Sequence, residues 1–252
     1  MFVVAQLSDL HFNGTREHRA RVMAALDYLV GTCGGSRNID ALLVTGDLAD
    51  DGLPEEYREA ATTLVTDIPT LTILGNHDDR GAYSQVHTGR RSTSPVNRAL
   101  QLDDGSSSLL LLALDSSIPG RNDGYLGDET LRWAREQIAH ARDTDVLLAF
   151  HHPPTTIGMP FMDERRMFDT EGLESLMADF PNVLGVACGH AHSSAATVFC
   201  GRPLIVAPGV SSTLSLPFEG EDFLNEVQGP GVALHLIDDH RMTTHFRTLP
   251  AW

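Results

Sequence analysis

The sequence predicts an α/β fold of two packed mixed sheets flanked by helices, arranged as one domain over residues 1–252. Two observations predict it. Short apolar runs alternate with amphipathic helical stretches through the first two-thirds of the chain, a pattern typical of a parallel sheet covered by helices. Shorter strands joined by turns then follow. With 252 residues, 42% of them hydrophobic, the chain is long enough to bury a core without disulfide or metal staples.

The first half begins with a βαβαβ order of elements. Phe2–Leu7, Ala41–Thr45 and 70–74 are short apolar runs that predict buried strands. The stretch 16–30 carries apolar residues at helical spacing, and 54–66 begins with a proline, which is favoured in the first turn of a helix. This order predicts a parallel sheet with helices on its faces.

The second half predicts two more helices and a further set of strands. Asp128 is expected to cap a helix whose apolar stripe includes Ala134 and Ile138, and 170–180 forms the other helix. Residues 238–240 predict a turn between the last two strands. Apolar runs predict strands at 109–114, 146–150, 183–187, 195–200, 204–207, 232–237 and 242–246.

Long stretches without a predicted helix or strand are expected to be functional or mobile loops. They are 89–98, 155–169 and 211–229. Five apolar residues on these loops either line a substrate pocket or a dimer contact, or pack locally: Met159, Phe161, Met162, Phe218 and Phe223. The stretch 118–125 is a further candidate wall of the pocket, in which Arg121 and Asn122 are either substrate contacts or exposed turn residues.

Charge and cysteine content exclude several classes of partner. The net charge of −16 argues against nucleic-acid polymers and anionic membranes, because both bind basic surfaces.

Three cysteines (Cys33, Cys188 and Cys200) are too few for a disulfide framework. Cys188 is either a soft metal ligand or a small buried strand residue. No signal peptide or membrane-length apolar run is visible, so we expect a cytoplasmic protein with reduced thiols.

Seven candidate metal ligands occur in five short motifs, and each motif directly follows an apolar run. Because ligands bind beyond the carboxyl ends of strands in open α/β sheets, these side chains are expected to converge. Imidazoles and carboxylates together suit Zn, Fe or Mn. The candidate ligands are Asp9, His11, Asp47, Asn76, His151, His190 and His192.

Strand alternation predicts which of these side chains share a face. The aspartate and histidine of the first motif are two residues apart, as are the two histidines of the last motif, so each pair is expected on one side of its strand. His151 and His152 are adjacent and are expected to point to opposite faces. Only one of these two is therefore expected to bind metal.

Asp47 and Asn76 each follow a glycine. Gly46 lets the backbone turn tightly or approach a ligand closely. The Asp47 carboxylate could bridge two metals, with one oxygen facing each, or could cap the next helix, a role that Asp50 could take instead. The Asn76 amide is a neutral ligand, and His77 beside it is placed to hydrogen-bond a phosphoryl oxygen or a leaving group.

In this order, the motifs Asp-x-His, Gly-Asp-x-x-Asp, Gly-Asn-His-Asp, His-His-Pro-Pro and Gly-His-x-His resemble those of the calcineurin-like metallophosphoesterase superfamily. The match spans Asp9 to His192. The longer strings Gly-Asn-His-Asp-Asp-Arg and His-His-Pro-Pro are similar to the branch of class III cyclic-nucleotide phosphodiesterases and glycerophosphodiesterases. The resemblance implies the metallophosphoesterase fold, a four-layer α/β/β/α sandwich of two mixed sheets.

The resemblance also implies a role for each motif residue. One metal would be bound by Asp9, His11, Asp47 and His192, and the second by Asp47, Asn76, His151 and His190. His77 would be the catalytic histidine that binds no metal, and Asp50 would orient it. Asn76 and His77 would contact the substrate.

The implied activity is hydrolysis of small phosphodiesters, such as cAMP or glycerophosphodiesters, by a hydroxide that bridges two divalent ions of Mn, Fe, Zn or Co. The same centre would serve a phosphomonoesterase or a nucleotide pyrophosphatase, because the motifs build the centre and not the substrate pocket. A non-catalytic scaffold is a third interpretation, against which the presence of every ligand and of His77 argues. A homodimer or larger homo-oligomer is compatible with all three.

Overall fold

The computed structural model describes residues 1–141, 144–220, 222–225 and 227–250. Strands and helices alternate in the first half, and the chain ends in a run of strands. The helices are α1 (Arg16–Asp27), α2 (Pro54–Thr63), α3 (Arg80–Thr88), α4 (Asp128–His140), α5 (Pro160–Asp163) and α6 (Glu171–Asp179). The strands are β1 (Phe2–Leu7), β2 (Ala41–Thr45), β3 (Thr70–Ile73), β4 (Arg98–Asp103), β5 (Ser108–Ala113), β6 (Asp145–Ala149), β7 (Val183–Cys188), β8 (Ala195–Phe199), β9 (Arg202–Val206), β10 (Thr213–Leu214), β11 (Leu224–Asn225), β12 (Gly231–Asp238) and β13 (Arg241–Thr248).

The first sheet is mixed and has the strand order β13-β12-β1-β2-β3. β1, β2 and β3 run parallel, with Val4 opposite Ala41. β12 pairs antiparallel with β1, and β13 with β12, so the last hairpin lies beside the first strand of the chain. The turn predicted at 238–240 closes this hairpin. Asp239 and His240 both have positive φ, as a two-residue hairpin turn of type I′ requires.

The second sheet is also mixed and has the order β4-β5-β6-β7-β9-β8. β5, β6, β7 and β9 run parallel, whereas the outer strands β4 and β8 are antiparallel to their neighbours. The prediction of two mixed sheets is therefore confirmed.

Three groups of buried apolar side chains hold the layers together. One lies between the sheets and includes Phe2 and Leu43 of the first sheet with Leu111 and Leu147 of the second. Another packs α1, α2 and α3 onto the outer face of the first sheet. The third packs α4 and α6 onto the outer face of the second sheet. This order of helix, sheet, sheet and helix is the four-layer sandwich that the resemblance implies.

Five elements were not predicted: α3, β4, and the short α5, β10 and β11, which lie within the predicted loops 155–169 and 211–229. Asp79 caps α3 by accepting a hydrogen bond from the Ala82 nitrogen at 2.6 Å, and Gly89 ends it in left-handed conformation. These are ordinary start and stop signals of a helix, overlooked because a ligand motif runs into them. In β4, the partly buried Leu100 and Leu102 alternate with exposed residues, which is the pattern of an edge strand.

The ends of several helices differ from prediction. α1 ends at Asp27 but continues directly into a π-helical turn at Tyr28–Thr32, which covers the predicted end at 30. α2 ends at Thr63, three residues before the predicted end at 66. The predicted cap of α4 is wrong by one position, because Gly127 occupies the cap and Asp128 is the first helical residue. The Asp128 carboxylate instead lies in the first turn, where negative charge interacts favourably with the helix dipole.

The thiols of Cys33, Cys188 and Cys200 are unpaired. Cys188 is the buried last residue of β7, and burial raises the pKa of its thiol. This matches the interpretation of Cys188 as a small strand residue. Within the described part of the chain, no helix has the length and apolarity needed to cross a membrane.

Candidate metal centre

The loops that carry the predicted ligands meet at one edge of the two sheets. The loop after β1 bonds to the loop after β2, where the Asp9 nitrogen donates to the Gly46 carbonyl at 3.1 Å. The loop after β7 reaches across to the first sheet, where the His190 nitrogen donates to the Asp9 carboxylate at 3.1 Å. The loop after β6 joins them through His151, whose Nδ1 donates to the Thr45 carbonyl at 2.7 Å. These bonds bring together residues far apart in sequence.

Five of the predicted ligands have a left-handed backbone, with φ between 45° and 73°. They are Asp9, His11, Asp47, His190 and His192. Such a conformation costs of order 1 kcal/mol or more for each non-glycine residue and is concentrated at functional sites. Asp9 and His11 therefore share a group, as predicted, but tight turns bring them together and strand alternation does not.

The first ligand group contains Asp9, His11, Asp47 and His192. His11 Nε2 lies 3.6 Å from Asp47 Oδ2 and 3.2 Å from His192 Nε2. His192 Nε2 lies 3.5 Å from Asp9 Oδ1. Atoms bound at about 2.1 Å to one tetrahedral ion stand about 3.4 Å apart, so this spacing fits a shared cation.

The outer nitrogens of two histidines determine which atoms face this group. His11 Nδ1 donates to Asp50 Oδ1 at 2.9 Å, and His192 Nδ1 donates to the Ser212 carbonyl at 3.2 Å. In the neutral imidazoles, the two Nε2 lone pairs therefore point at each other. A cation bound by this group would stabilise this arrangement, and outer hydrogen bonds of this kind are typical of metal-binding histidines.

The second ligand group lies around His151. Its Nε2 is 3.2 Å from Asn76 Oδ1 and 3.3 Å from Asp47 Oδ2. The ring of His190 lies 5.0 Å from the His151 ring. His190 donates its Nε2 hydrogen to the Arg165 carbonyl at 3.1 Å, which leaves Nδ1 as its free ligand atom.

His152 also lies beside the second group, so the expectation that it points to the opposite face is wrong. β6 ends at Ala149, and the residues after it no longer alternate as in a strand. The His152 ring is 4.6 Å from the His190 ring, and its nitrogens are close enough to share an ion with His151 and His190. Its Nδ1 contacts Ser116 Oγ at 2.9 Å, whereas its buried Nε2 has no hydrogen-bond partner among the described residues.

Asp47 lies between the two groups. Its Oδ2 faces both His11 and His151, at 3.6 and 3.3 Å, whereas Oδ1 accepts the His77 backbone N–H at 3.0 Å. One carboxylate oxygen was expected to face each metal, but Oδ2 faces both groups because the backbone bond occupies Oδ1. Gly75 leaves room for this carboxylate, since a Cβ there would overlap Oδ1.

The buried carboxylates make the centre attractive to cations. Burial opposes ionisation of Asp47, yet His151 and His11 hold the pKa of its carboxyl well below the usual range. Burial likewise opposes protonation of His151, but Asp47 and Asp9 raise its pKa to about 9. Burial and the nearby charge of His151 hold the pKa of His190 well below its usual range. His190 is therefore a neutral base, the form in which histidine binds metal.

His77 lies at the rim of the centre, with 43% of its side chain exposed. Its Nδ1 donates to the main-chain carbonyl of Asp50 at 2.7 Å. The Asp50 carboxylate is 3.9 Å from that nitrogen and accepts its hydrogen bond from His11 instead. Asp50 therefore contacts both histidines, His77 through its backbone and His11 through its side chain.

A cleft of about 210 Å³ opens onto the centre. On the inner side it is lined by Asp47, Asn76, His77, His190 and His192. The outer wall consists of Asn122, Phe161, Met162, Arg165 and Leu214. Asn122 is thus a cleft residue, whereas Arg121 is exposed and paired with Asp123.

The apolar residues of the long loops divide into two kinds. Met159 and Met162 are buried in the core beside the second sheet, as local packing predicts. Phe161 and Phe223 remain 47% and 43% exposed, and their ring centroids are 4.6 Å apart. Phe218 is more exposed still. Of this set, Phe161 and Met162 border the cleft.

Several positioning residues were not identified from the sequence, and Asp78 and Arg165 are two of them. Asp78 accepts backbone N–H bonds from Leu48, Ala49 and Gly75, and so ties the loop after β2 to the loop after β3. The last position of the Gly-Asn-His-Asp motif was the available signal. Arg165 orients His190 through a main-chain carbonyl, so its side-chain type gives no indication of that role.

Comparison with known proteins establishes the family of the chain. The model of the calcineurin-like phosphoesterase family matches residues 2–194, so the chain belongs to this family. The glycerophosphodiester phosphodiesterase GpdQ of Enterobacter lignolyticus is 30% identical over 231 residues, which cover 87% of this chain and 81% of the relative. The 3',5'-cyclic adenosine monophosphate phosphodiesterase CpdA of Pseudomonas aeruginosa is 30% identical over 250 residues, which cover 96% and 88%. The resemblance seen in the motifs is confirmed.

Solved structures of low sequence identity share the fold. A dimetal phosphatase from Danio rerio has a TM-score of 0.71 at 12% identity, with 98% of this chain and 96% of that chain covered. GAP50, described as the anchor in the inner membrane complex of Plasmodium, has a TM-score of 0.67 at 13% identity, with 98% and 84% covered. At this identity the likeness shows the architecture alone.

Proposed function

We propose that this chain is a dinuclear metal-dependent phosphodiesterase that hydrolyses small phosphodiesters. The observation that carries the proposal is the pair of ligand groups that share the Asp47 oxygen beneath an open cleft. Membership of the calcineurin-like phosphoesterase family supports it. The names of the GpdQ and CpdA relatives support glycerophosphodiesters and cyclic nucleotides such as cAMP as the substrate class.

In this proposal, each ligand group binds one divalent cation. One is held by Asp9, His11, Asp47 and His192, and the other by Asp47, Asn76, His151 and His190. The mixture of imidazole, carboxylate and amide donors suits Mn, Fe, Zn or Co. When bound, the cations supply Lewis acidity, which acidifies a water molecule and neutralises charge on phosphoryl oxygens.

The side chains at the rim orient the substrate and supply a proton. Asn76 turns its carbonyl oxygen towards His151, so its amide N–H groups are left to donate to a phosphoryl oxygen. His77 donates its Nδ1 hydrogen to the Asp50 carbonyl, so a hydrogen bond from Nε2 to the substrate requires the imidazolium form. A water oxygen forms the new bond to phosphorus and releases a proton, the bond from phosphorus to the leaving oxygen breaks, and the imidazolium passes its proton to that oxygen, so the products are a phosphomonoester and an alcohol.

The test is steady-state hydrolysis of bis(p-nitrophenyl) phosphate and p-nitrophenyl phosphate in Mn²⁺, with a chelator-treated control. We expect metal-dependent turnover, a higher kcat/KM for the diester, and two metal ions per chain by elemental analysis. Asp47→Asn should abolish nearly all turnover. His77→Ala should keep its metal and lose about 10²–10⁴-fold in kcat on a diester with an alkoxide leaving group, such as a glycerophosphodiester.

His140→Ala is the matched control, because His140 is an exposed histidine at the end of α4. It should retain full activity. Preference for the monoester would replace the proposal with a phosphomonoesterase. A metal-loaded protein that cleaves neither substrate would contradict both and favour a pyrophosphatase or a scaffold.

We also propose a cytoplasmic location and a homodimer or larger homo-oligomer. The unpaired thiols support a reducing compartment. β13 lies at an edge of the first sheet, where a second copy has backbone groups to pair with. The net charge of −16 supports small substrates in preference to nucleic-acid polymers or anionic membranes.

A further inference from the structure

Arg165 is the one arginine among the described residues that line the cleft at the metal centre. Its Nη1 donates to the Phe161 carbonyl at 2.7 Å, and its Cζ lies 3.6 Å from the centre of the Phe161 ring. No carboxylate in the described part of the chain lies at ion-pair distance from it. Arg80 and Arg121, by contrast, each pair with an aspartate. The Arg165 guanidinium therefore keeps its charge and most of its N–H donors for an anionic ligand.

The backbone of Arg165 is held against the centre. Its carbonyl accepts the Nε2 hydrogen of His190 at 3.1 Å. This bond fixes the residue relative to the second ligand group, so its side chain starts from a defined position beside the cleft. The Phe161 ring then supports the guanidinium from one face, as in a cation–π contact.

An apolar surface continues from the cleft past Phe161. The Phe161 and Phe223 rings meet at 64°, and both border an adjoining pocket of about 270 Å³. Met159, Leu216 and Pro217 complete much of its wall. A phosphodiester carries an organic group on each side of phosphorus, and this surface is positioned to contact one of the two groups beyond the metal centre. A phosphomonoester has no second group to place there.

We propose that Arg165 and Phe161 form the substrate-recognition element of this cleft. The guanidinium binds an oxygen of the phosphodiester, and the Phe161 ring packs against the organic group that the phosphoryl centre retains. The inference rests on the proposed phosphodiesterase function and adds the residues that select the substrate.

The chain contains a matched control in the next residue. Arg166 also lies over a phenylalanine, with its Cζ 4.3 Å from the Phe168 ring, and it also donates to a carbonyl, that of Asp163. Arg166 does not contribute to the lining of the cleft. If these arginines only support the structure of the loop, replacing either one should lower activity. If Arg165 contacts the substrate, only the replacement of Arg165 should lower it.

The first experiment compares wild type, Arg165→Ala, Arg165→Lys and Arg166→Ala on bis(p-nitrophenyl) phosphate, with metal content measured for each. We expect Arg165→Ala to lower kcat/KM about 10- to 100-fold, mainly through KM, the scale of one charge-assisted hydrogen bond. Arg165→Lys should restore part of the loss, since it keeps the charge but not the planar fork. Arg166→Ala should stay within about twofold of wild type, and all should keep their metal.

The second experiment measures the preference for bis(p-nitrophenyl) phosphate over methyl p-nitrophenyl phosphate, which differ only in the retained group. Phe161→Ala should reduce this preference, and Phe168→Ala should leave it unchanged. Equal effects at 165 and 166, a loss of metal in Arg165→Ala, or an unchanged preference in Phe161→Ala would overturn the inference while leaving the phosphodiesterase intact. A wild type without diesterase activity would overturn both.

Discussion

At the residue scale, the chemistry of the centre depends on which atom of each residue makes a contact. Asp50 shows this most clearly. The resemblance gives it the role of orienting His77, and it does contact that ring, but through its main-chain carbonyl at 2.7 Å. Its carboxylate holds His11 Nδ1 at 2.9 Å and so directs the other nitrogen of His11 into the first ligand group. The side chain of Asp50 therefore orients the candidate metal ligand His11, and its main-chain carbonyl orients His77.

This division gives a prediction for Asp50→Ala. The substitution removes the bond to His11 but keeps the carbonyl that holds His77. We expect metal affinity to fall about 10- to 100-fold, the usual effect of removing the partner of a ligand histidine. At saturating metal, kcat should return close to the wild-type value. Metal titrations of activity measure both quantities.

The control is Asp51→Ala, which removes the neighbouring exposed carboxylate and should change neither quantity. If Asp50→Ala at saturating metal is as slow as His77→Ala, then the side chain orients His77 after all.

At the scale of elements, the centre is built from turns that follow strands and from the close approach of their backbones. Gly46, at φ 94°, ends β2 in a conformation that other residues rarely adopt, and a Cβ there would overlap the His151 ring. A Cβ on Gly75, after β3, would meet the Asp47 carboxylate and lie 2.6 Å from the Asp47 nitrogen. The two glycines therefore let the ends of β2, β3 and β6 approach one another. This close approach depends on contacts between strands and cannot be read from any one strand alone.

This close approach predicts that Gly75→Ala displaces Asp47 from its position between the two groups. We expect the variant to lose bound metal and most of its diesterase activity while keeping the far-UV circular dichroism of the folded chain. Gly31→Ala is the matched control, because a Cβ at Gly31 would meet no atom within 4 Å. A Gly75→Ala protein with two bound metals and normal turnover would show that the loop adjusts freely.

At the scale of the whole molecule, a buried polar network joins the two sheets. His235 of β12 donates its Nε2 hydrogen to Gln6 Oε1 at 2.9 Å, because the Gln6 amide nitrogen already donates to Thr45 Oγ1 and to the Cys188 carbonyl. His235 Nδ1 then accepts from Thr244 Oγ1 at 2.8 Å. Both ring nitrogens are satisfied in the neutral form, and burial lowers the pKa of His235 to about 4.

The lowered pKa predicts a loss of stability in acid. Between an unfolded pKa of about 6.5 and a folded pKa of about 4, the unfolded chain binds a proton that the folded chain excludes, so stability falls as pH falls through this window. His235→Gln should remove this contribution. We expect wild type to lose about 3 kcal/mol more than His235→Gln between pH 7 and pH 4, by urea unfolding with chelator present.

The same unfolding curves test our proposal that residues 1–252 form one domain. Trp133 packs against the core beside the second sheet, so its fluorescence reports on that sheet. Far-UV circular dichroism reports on both sheets. A core continuous between the sheets should unfold as one unit, so the two signals should change together. Separate transitions of the two signals would indicate two domains.

The pH series has its own contrary outcome. If the stability of wild type and of His235→Gln falls in parallel as the pH falls, then His235 does not contribute the expected pH dependence.

Much of the fold followed from local patterns. β1 and β2 have their predicted bounds because a short apolar run between polar turns has few other ways to be buried. α3 was missed although Asp79 and Gly89 mark its ends, since the same stretch also carries ligand residues. The candidate ligands could be selected in advance because strand ends meet at one edge of a sheet, a rule of topology that needs no side-chain detail.

The sequence by itself determined the layered fold, the family and the candidate ligands, because these depend on the order of apolar runs and motifs along the chain. Only the tertiary structure decided the orientation of His152, the choice of Asp47 oxygen, the double contact of Asp50 and the position of Arg165. After a strand ends, its alternation no longer directs side chains. Left-handed turns and hydrogen bonds from distant segments direct them instead, such as the bond from His190 to a carbonyl 25 residues away. These contacts exist only once both sheets have packed together.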